Sequence, residues 1–179
     1  MLLRGRLSVQ VMPPSDVSEN GDRLLFQAHE TLRPGQREMI LDAIKSLRDR
    51  GALVSAAPTG IGKTAAALCA AIEVAREPGR NKTIMFMTGR QSQHRIVVET
   101  VRDINAKLTT GHSPVTLVDL IGQSGMCVQP FANEHPALFT SLCSEARAEG
   151  KCRPFLENTK NVGHQLLSHP MHVHELVKV

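Results

Sequence analysis

Apolar positions along this chain keep a helical period in some stretches and form short continuous runs in others, and the two kinds of stretch take turns. Met39, Ile40, Ala43, Ile44 and Leu47 lie at helical spacing, which predicts a helix over about 34–50 that Gly51 ends. The run Ala52-Leu53-Val54-Ser55-Ala56 is short and apolar enough for a buried strand. Ala65-Ala66-Ala67-Leu68-Cys69-Ala70-Ala71-Ile72-Glu73-Val74-Ala75 is strongly helix-forming and stops near Glu77-Pro78-Gly79. A second strand is predicted at Thr83-Ile84-Met85-Phe86-Met87-Thr88. A third helix follows over about 92–107, with Ile96, Val97, Val101 and Ile104 inward, and a third strand at Val115-Thr116-Leu117-Val118-Asp119-Leu120-Ile121. Such alternation predicts an α/β fold with a parallel sheet and right-handed crossovers. After Gly122 the pattern gives way to sequence bearing Cys, Pro and His, while residues 1–25 read as a loop-like extension around Pro13-Pro14-Ser15-Asp16 and Ser18-Glu19-Asn20-Gly21-Asp22.

Composition narrows this picture. The 179 residues suffice for one domain or one and a half, and 41% hydrophobic with 21% charged content fits a globular chain. Trp and Tyr are absent and Phe occurs five times, so the core must be aliphatic. A net charge of +4 permits an acidic polymer as partner without demanding one. Arg4 and Arg6 interrupt the apolar N-terminus, and no run of about 18 apolar residues exists, so the expectation is a chain with no membrane span and a cytoplasmic location, nucleoid-associated if prokaryotic. In that compartment four cysteines are expected as metal ligands or buried thiols rather than disulfides.

Candidate chemistry centres on Ala57-Pro58-Thr59-Gly60-Ile61-Gly62-Lys63-Thr64, between the first predicted strand and its helix. Gly60 and Gly62 let the backbone turn tightly, so that successive N–H groups and the helix N-terminus form an anion cradle. Lys63 would reach the β- and γ-phosphates of ATP and the Thr64 hydroxyl would bind Mg²⁺. One helix upstream, Leu32-Arg33-Pro34-Gly35-Gln36 places a Gln amide that can present a donor and an acceptor to an adenine edge. At the end of the second predicted strand, Thr88-Gly89-Arg90-Gln91-Ser92-Gln93-His94 brings small polar side chains and an Arg to a helix start, which suits the backbone of a nucleic-acid strand. The plainer reading is a polar turn in which Ser92 caps the following helix.

On these residues the chain resembles the N-terminal part of the XPD/DinG-like DNA helicases of superfamily 2, and is most similar to their archaeal XPD-like members. The resemblance runs from about Phe26 to the C-terminus and is carried by Arg33-Pro34-Gly35-Gln36, the octet 57–64 in the form A-x-T-G-x-G-K-T, Thr88 to Glu99, and Gly122-Gln123-Ser124-Gly125-Met126-Cys127-Val128-Gln129-Pro130. It implies an ATP site of Arg33, Gln36 and Ala57 to Thr64, with Lys63 and Thr64 catalytic. It implies DNA contacts from Thr88, Arg90, Ser92 and Gln93, although Gly89 stands where the family's T-R-T-x-S-Q segment has Arg. Residues 26–122 would then be the N-terminal part of a RecA-like P-loop NTPase domain, and 123–179 an incomplete helical, loop-rich iron–sulfur domain.

The resemblance also implies that Cys127, Cys143 and Cys152 ligate a [4Fe–4S] cluster, with Cys152-Arg153-Pro154-Phe155 like the family's third ligand segment. The family's fourth Cys, in a Cys-Pro-Tyr segment, has no counterpart; the expectation is an N-terminal fragment that stops just short of it. Cys69, in the helix after the loop, is expected to be a small buried residue. No Asp-Glu-x-His or Asp-Glu-x-Asp occurs to complete the Mg²⁺ site and position water. The implied function is therefore an ATP-dependent, 5′→3′ DNA helicase of repair type, acting on single-stranded or forked DNA with the remainder of the same helicase and other repair proteins, and inactive as this portion alone. A sheet lacking its central strand would leave the chain marginally stable and prone to aggregate. Two alternatives stay open: a stand-alone P-loop nucleotide-binding protein, and a Cys/His metal module using His164, His169, His172 or His174, though the Cys spacing lacks a zinc knuckle.

Overall fold

The alanine-rich run after the glycine loop makes the helix around which the rest packs. The structure, a computed structural model, describes residues 24–80, 82–156 and 169–176; most of the expected extension at 1–25, and His164, lie outside them. The helices are α1 (Gln36–Arg48), α2 (Lys63–Ala75), α3 (Gln91–Lys107), α4 (Pro136–Ala148), α5 (Arg153–Leu156) and α6 (Val173–Leu176), with 3₁₀ turns at Gln123–Met126 and Pro130–Asn133. Helix α2 is apolar on two sides, so it is buried on both. One side sets Ala65, Leu68 and Ile72 against Val97, Val101 and Ile104 of α3, with Phe26 and Ala28. The other sets Ala66, Cys69, Ala70 and Val74 against Ile40 and Ile44 of α1, with Leu24. Alanines at 66 and 70 let α1 and α2 approach closely. Glu73 ties the chain entering the core to α2, its carboxylate accepting from the Leu25 and Phe26 amides. Burial pushes the Cys69 thiol up to about 12, with Glu73 adding to the effect, so it stays a protonated core group.

The helical period held for Val97, Val101 and Ile104, but Ile96 faces outward and Val98 is buried instead. Leu47 is likewise exposed on α1.

The expected parallel sheet is absent from the described residues. Among the described residues no strand forms, and the only bridge outside helices is an isolated parallel pairing of Val118 with Met171. The RecA-like α/β assignment is corrected accordingly. Residues 52–56, 83–88 and 115–121 form neither helix nor ladder. Val54, Met85 and Met87 are 87%, 83% and 82% exposed. The physical reason is that an apolar run marks a segment fit for burial but does not supply its neighbour. A helix closes its hydrogen bonds within itself; a strand needs another backbone alongside. Side chains do some of that work here. The Asn105 amide of α3 donates to the Val115 carbonyl at 2.9 Å and accepts from the Val115 amide at 2.8 Å, as a neighbouring strand would. The Arg76 guanidinium donates to the Ser113 and Pro114 carbonyls at 3.0 and 2.7 Å.

Apolar segments left in solvent are templates for association. Replacing Met85 and Met87 together with Lys is expected to suppress concentration-dependent association in sedimentation velocity. Because both side chains are exposed, the unfolding free energy should stay within about 0.5 kcal/mol of the parent's.

Candidate nucleotide-binding site

The loop at 57–64 turns into α2 through two glycines in the left-handed region, Gly60 at φ 87° and Gly62 at φ 86°, the latter capping the helix. Lys63 is the first helical residue. Its Nζ donates to the carbonyls of Ala57 at 3.0 Å and Pro58 at 2.8 Å, so the ammonium lies across the loop it follows. Thr64 is half-buried at the next position, while Pro58, Thr59 and Gly60 are exposed. Loop amides, a helix N-terminus and a lysine thus share one end of α2, which is the composition of an anion site.

Gln36 stands behind this loop. It is 1% exposed, accepts from the Arg33 amide through Oε1 at 3.0 Å, and donates through Nε2 to the Gly62 carbonyl at 3.2 Å. The amide expected to read adenine therefore has one donor and one acceptor turned inward, making it a strut between the start of α1 and the loop. Arg33 is exposed beside it. A Cβ on Gly62 would lie 2.6 Å from Gln36 Nε2, in a backbone conformation that already disfavours side chains. Gly62→Ala is expected to cost about 1–3 kcal/mol of stability and to open the Gln36 contact, measured as a lower thermal midpoint by circular dichroism.

The turn at 88–93 is held by Thr88, whose hydroxyl oxygen accepts from the Arg90 amide at 3.3 Å and bonds the Gln93 side chain. Helix α3 starts at Gln91 with Arg90 as its cap residue and no side-chain cap, so Ser92 does not cap it as expected but sits inside the first turn. Arg90, Ser92 and Gln93 are exposed together at this positive helix end.

His94 points the other way, to a group the sequence reading missed. Its Nδ1 donates to Asp119 Oδ1 at 2.6 Å. Asp119 Oδ2 accepts from the Val173 amide at 3.0 Å and lies 3.6 Å from His172 Nε2. Burial alone would push the Asp119 carboxyl up, but the His94 and Val173 hydrogen bonds and the two imidazoles hold it below its ordinary value. The signal was available: one carboxylate inside the apolar run 115–121 must find partners if that run is buried. Glu175, paired with Arg102 and bonded by the His172 amide, is also held low. Folded values below the ordinary 3.8 and 4.5 mean that both groups stabilise fully above that range and lose their contribution as pH falls through the folded values. From these two carboxylates the thermal midpoint should fall below about pH 4, less steeply in Asp119→Asn.

The cysteine region is built on α4. Cys143 is buried there and takes a contact from Gln123 Nε2 at 3.5 Å, while Cys127 and Cys152 are half-buried after a 3₁₀ turn and before α5. Among the described residues no group of three or more His, Cys, Asp or Glu converges to hold a metal.

Comparison with protein-family models, with curated proteins and with solved structures found no match. Among the described residues no helix is long and apolar enough to cross a membrane.

Proposed function

We propose that the loop at 57–64 binds the phosphates of ATP together with Mg²⁺, and that the turn at 88–93 contacts single-stranded DNA, as the ATP-binding portion of a helicase like those of the XPD/DinG group. The observation that carries the reading is the pair of left-handed glycines leading directly into Lys63 at the start of α2. Such a glycine turn into a helix end followed by a lysine is the arrangement in which loop amides, helix end and ammonium can meet a phosphate. Lys63 would neutralise the β- and γ-phosphates, Thr64 would take the cation, and Gln36 would hold the loop from behind through Gly62. The reading is one of binding rather than turnover, since these residues include no carboxylate set to activate water.

The test is thermal unfolding followed by circular dichroism, the chain having no Trp or Tyr. With MgATP at about 100 times its Kd the site should add about 2.7 kcal/mol, a rise of roughly 5–10 °C. MgATP without effect on the midpoint would reject the site. For the turn, Arg90→Ala should weaken oligothymidine binding and reduce its salt dependence by about one phosphate contact.

A further inference from the structure

Residues 169–176 lie across α3 and the run 115–121, and polar groups do most of the fastening. Arg102 Nε donates to the Pro170 carbonyl at 2.9 Å, and its terminal nitrogen pairs with Glu175 at 2.7 Å. Met171 pairs with Val118 in parallel. Among the residues of this segment whose side chains are described, only Pro170 and Val173 are buried. The junction is Asp119. One carboxylate oxygen takes the Val173 amide and faces His172; the other takes the imidazole of His94, which belongs to the first turn of α3, directly after Gln93. One buried side chain thus touches both the segment and the helix start that carries the turn at 88–93.

We propose that residues 169–176 form a releasable strap, and that Asp119 is the positioning residue through which the strap sets the start of α3 and the turn before it. Its bearing on DNA rests on the reading of that turn given above. With the strap fastened, the carboxylate is held from one side and in turn holds the imidazole, fixing the first turn of α3. With the strap released, Asp119 loses the Val173 amide, gains water, and no longer fixes His94. The edge of 115–121 at Val118 is uncovered in the same step.

The experiment compares the full chain with Glu175→Gln and Asp119→Ala. Glu175 is exposed and bonds Arg102 of α3 and the His172 amide, so Glu175→Gln weakens the hold of the strap end on α3 while leaving the Asp119 bond to His94 in place, and the His94 resonances are the deciding readout. The readouts are amide hydrogen exchange over 170–176 and 91–101, and the His94 imidazole resonances. Glu175→Gln should speed exchange in both stretches and shift the His94 resonances; Asp119→Ala should speed both by about tenfold. Faster exchange at 170–176 with 91–101 and His94 unchanged would overturn the proposal, as would no change at 170–176 in either variant. If Asp119→Ala unfolds, Glu175→Gln carries the decision. Binding of labelled oligothymidine separates the two readings: exchange as expected with no DNA binding by the parent leaves the strap standing and removes the DNA contact.

Discussion

Lys63→Ala is expected to lower the affinity for MgATP by roughly 30-fold or more, the equivalent of at least one or two charge-assisted hydrogen bonds to phosphate. The loss should come without loss of fold. Lys63 is exposed, and its ammonium bonds only the carbonyls of Ala57 and Pro58 in its own loop. Those carbonyls can turn to water when the ammonium goes. The thermal midpoint without nucleotide should therefore stay close to the parent's, and equilibrium dialysis with labelled ATP should show the loss. Lys63→Arg should also bind weakly, since the wider guanidinium does not replace a compact ammonium in a tight loop.

Ile72→Ala should be the most damaging single change to stability, about 2–5 kcal/mol. Ile72 is 2% exposed at the contact of α2 with Val97, Val101 and Ile104 of α3. The core around it is small and aliphatic, and a domain of this size has about 5–15 kcal/mol in all. Denaturant unfolding followed by circular dichroism checks it. Leu47→Ala on α1, an exposed position, should change stability far less.

What the sequence made legible follows from how locally each element is determined. Helices α1, α2 and α3 close their own hydrogen bonds, and their bounds were readable to within about two residues, although Ile96 and Leu47 of the predicted apolar stripes face outward. The loop at 57–64 was readable because its glycines have one conformational use. The three apolar runs were legible as lying outside the helices but were misread as strands of a sheet, because pairing depends on backbones elsewhere. Val115 shows the difference, its donor and acceptor both taken by Asn105 from a helix. Gln36 was legible as an important amide but not in direction: only the fold shows it turned to Gly62. Asp119 was legible as a carboxylate in need of partners, but not which ones, since His94 and Val173 lie 25 and 54 positions away.

The account stands or falls on the loop before α2 holding a triphosphate. Isothermal titration of the chain with MgATP, MgADP and AMP tests this directly. The predicted result is binding at one site that needs Mg²⁺, weakens from ATP to ADP, and is absent for AMP, since the proposed site would meet the β- and γ-phosphates and not the base. Binding of AMP as tightly as ATP, or no heat with MgATP at all, would contradict it.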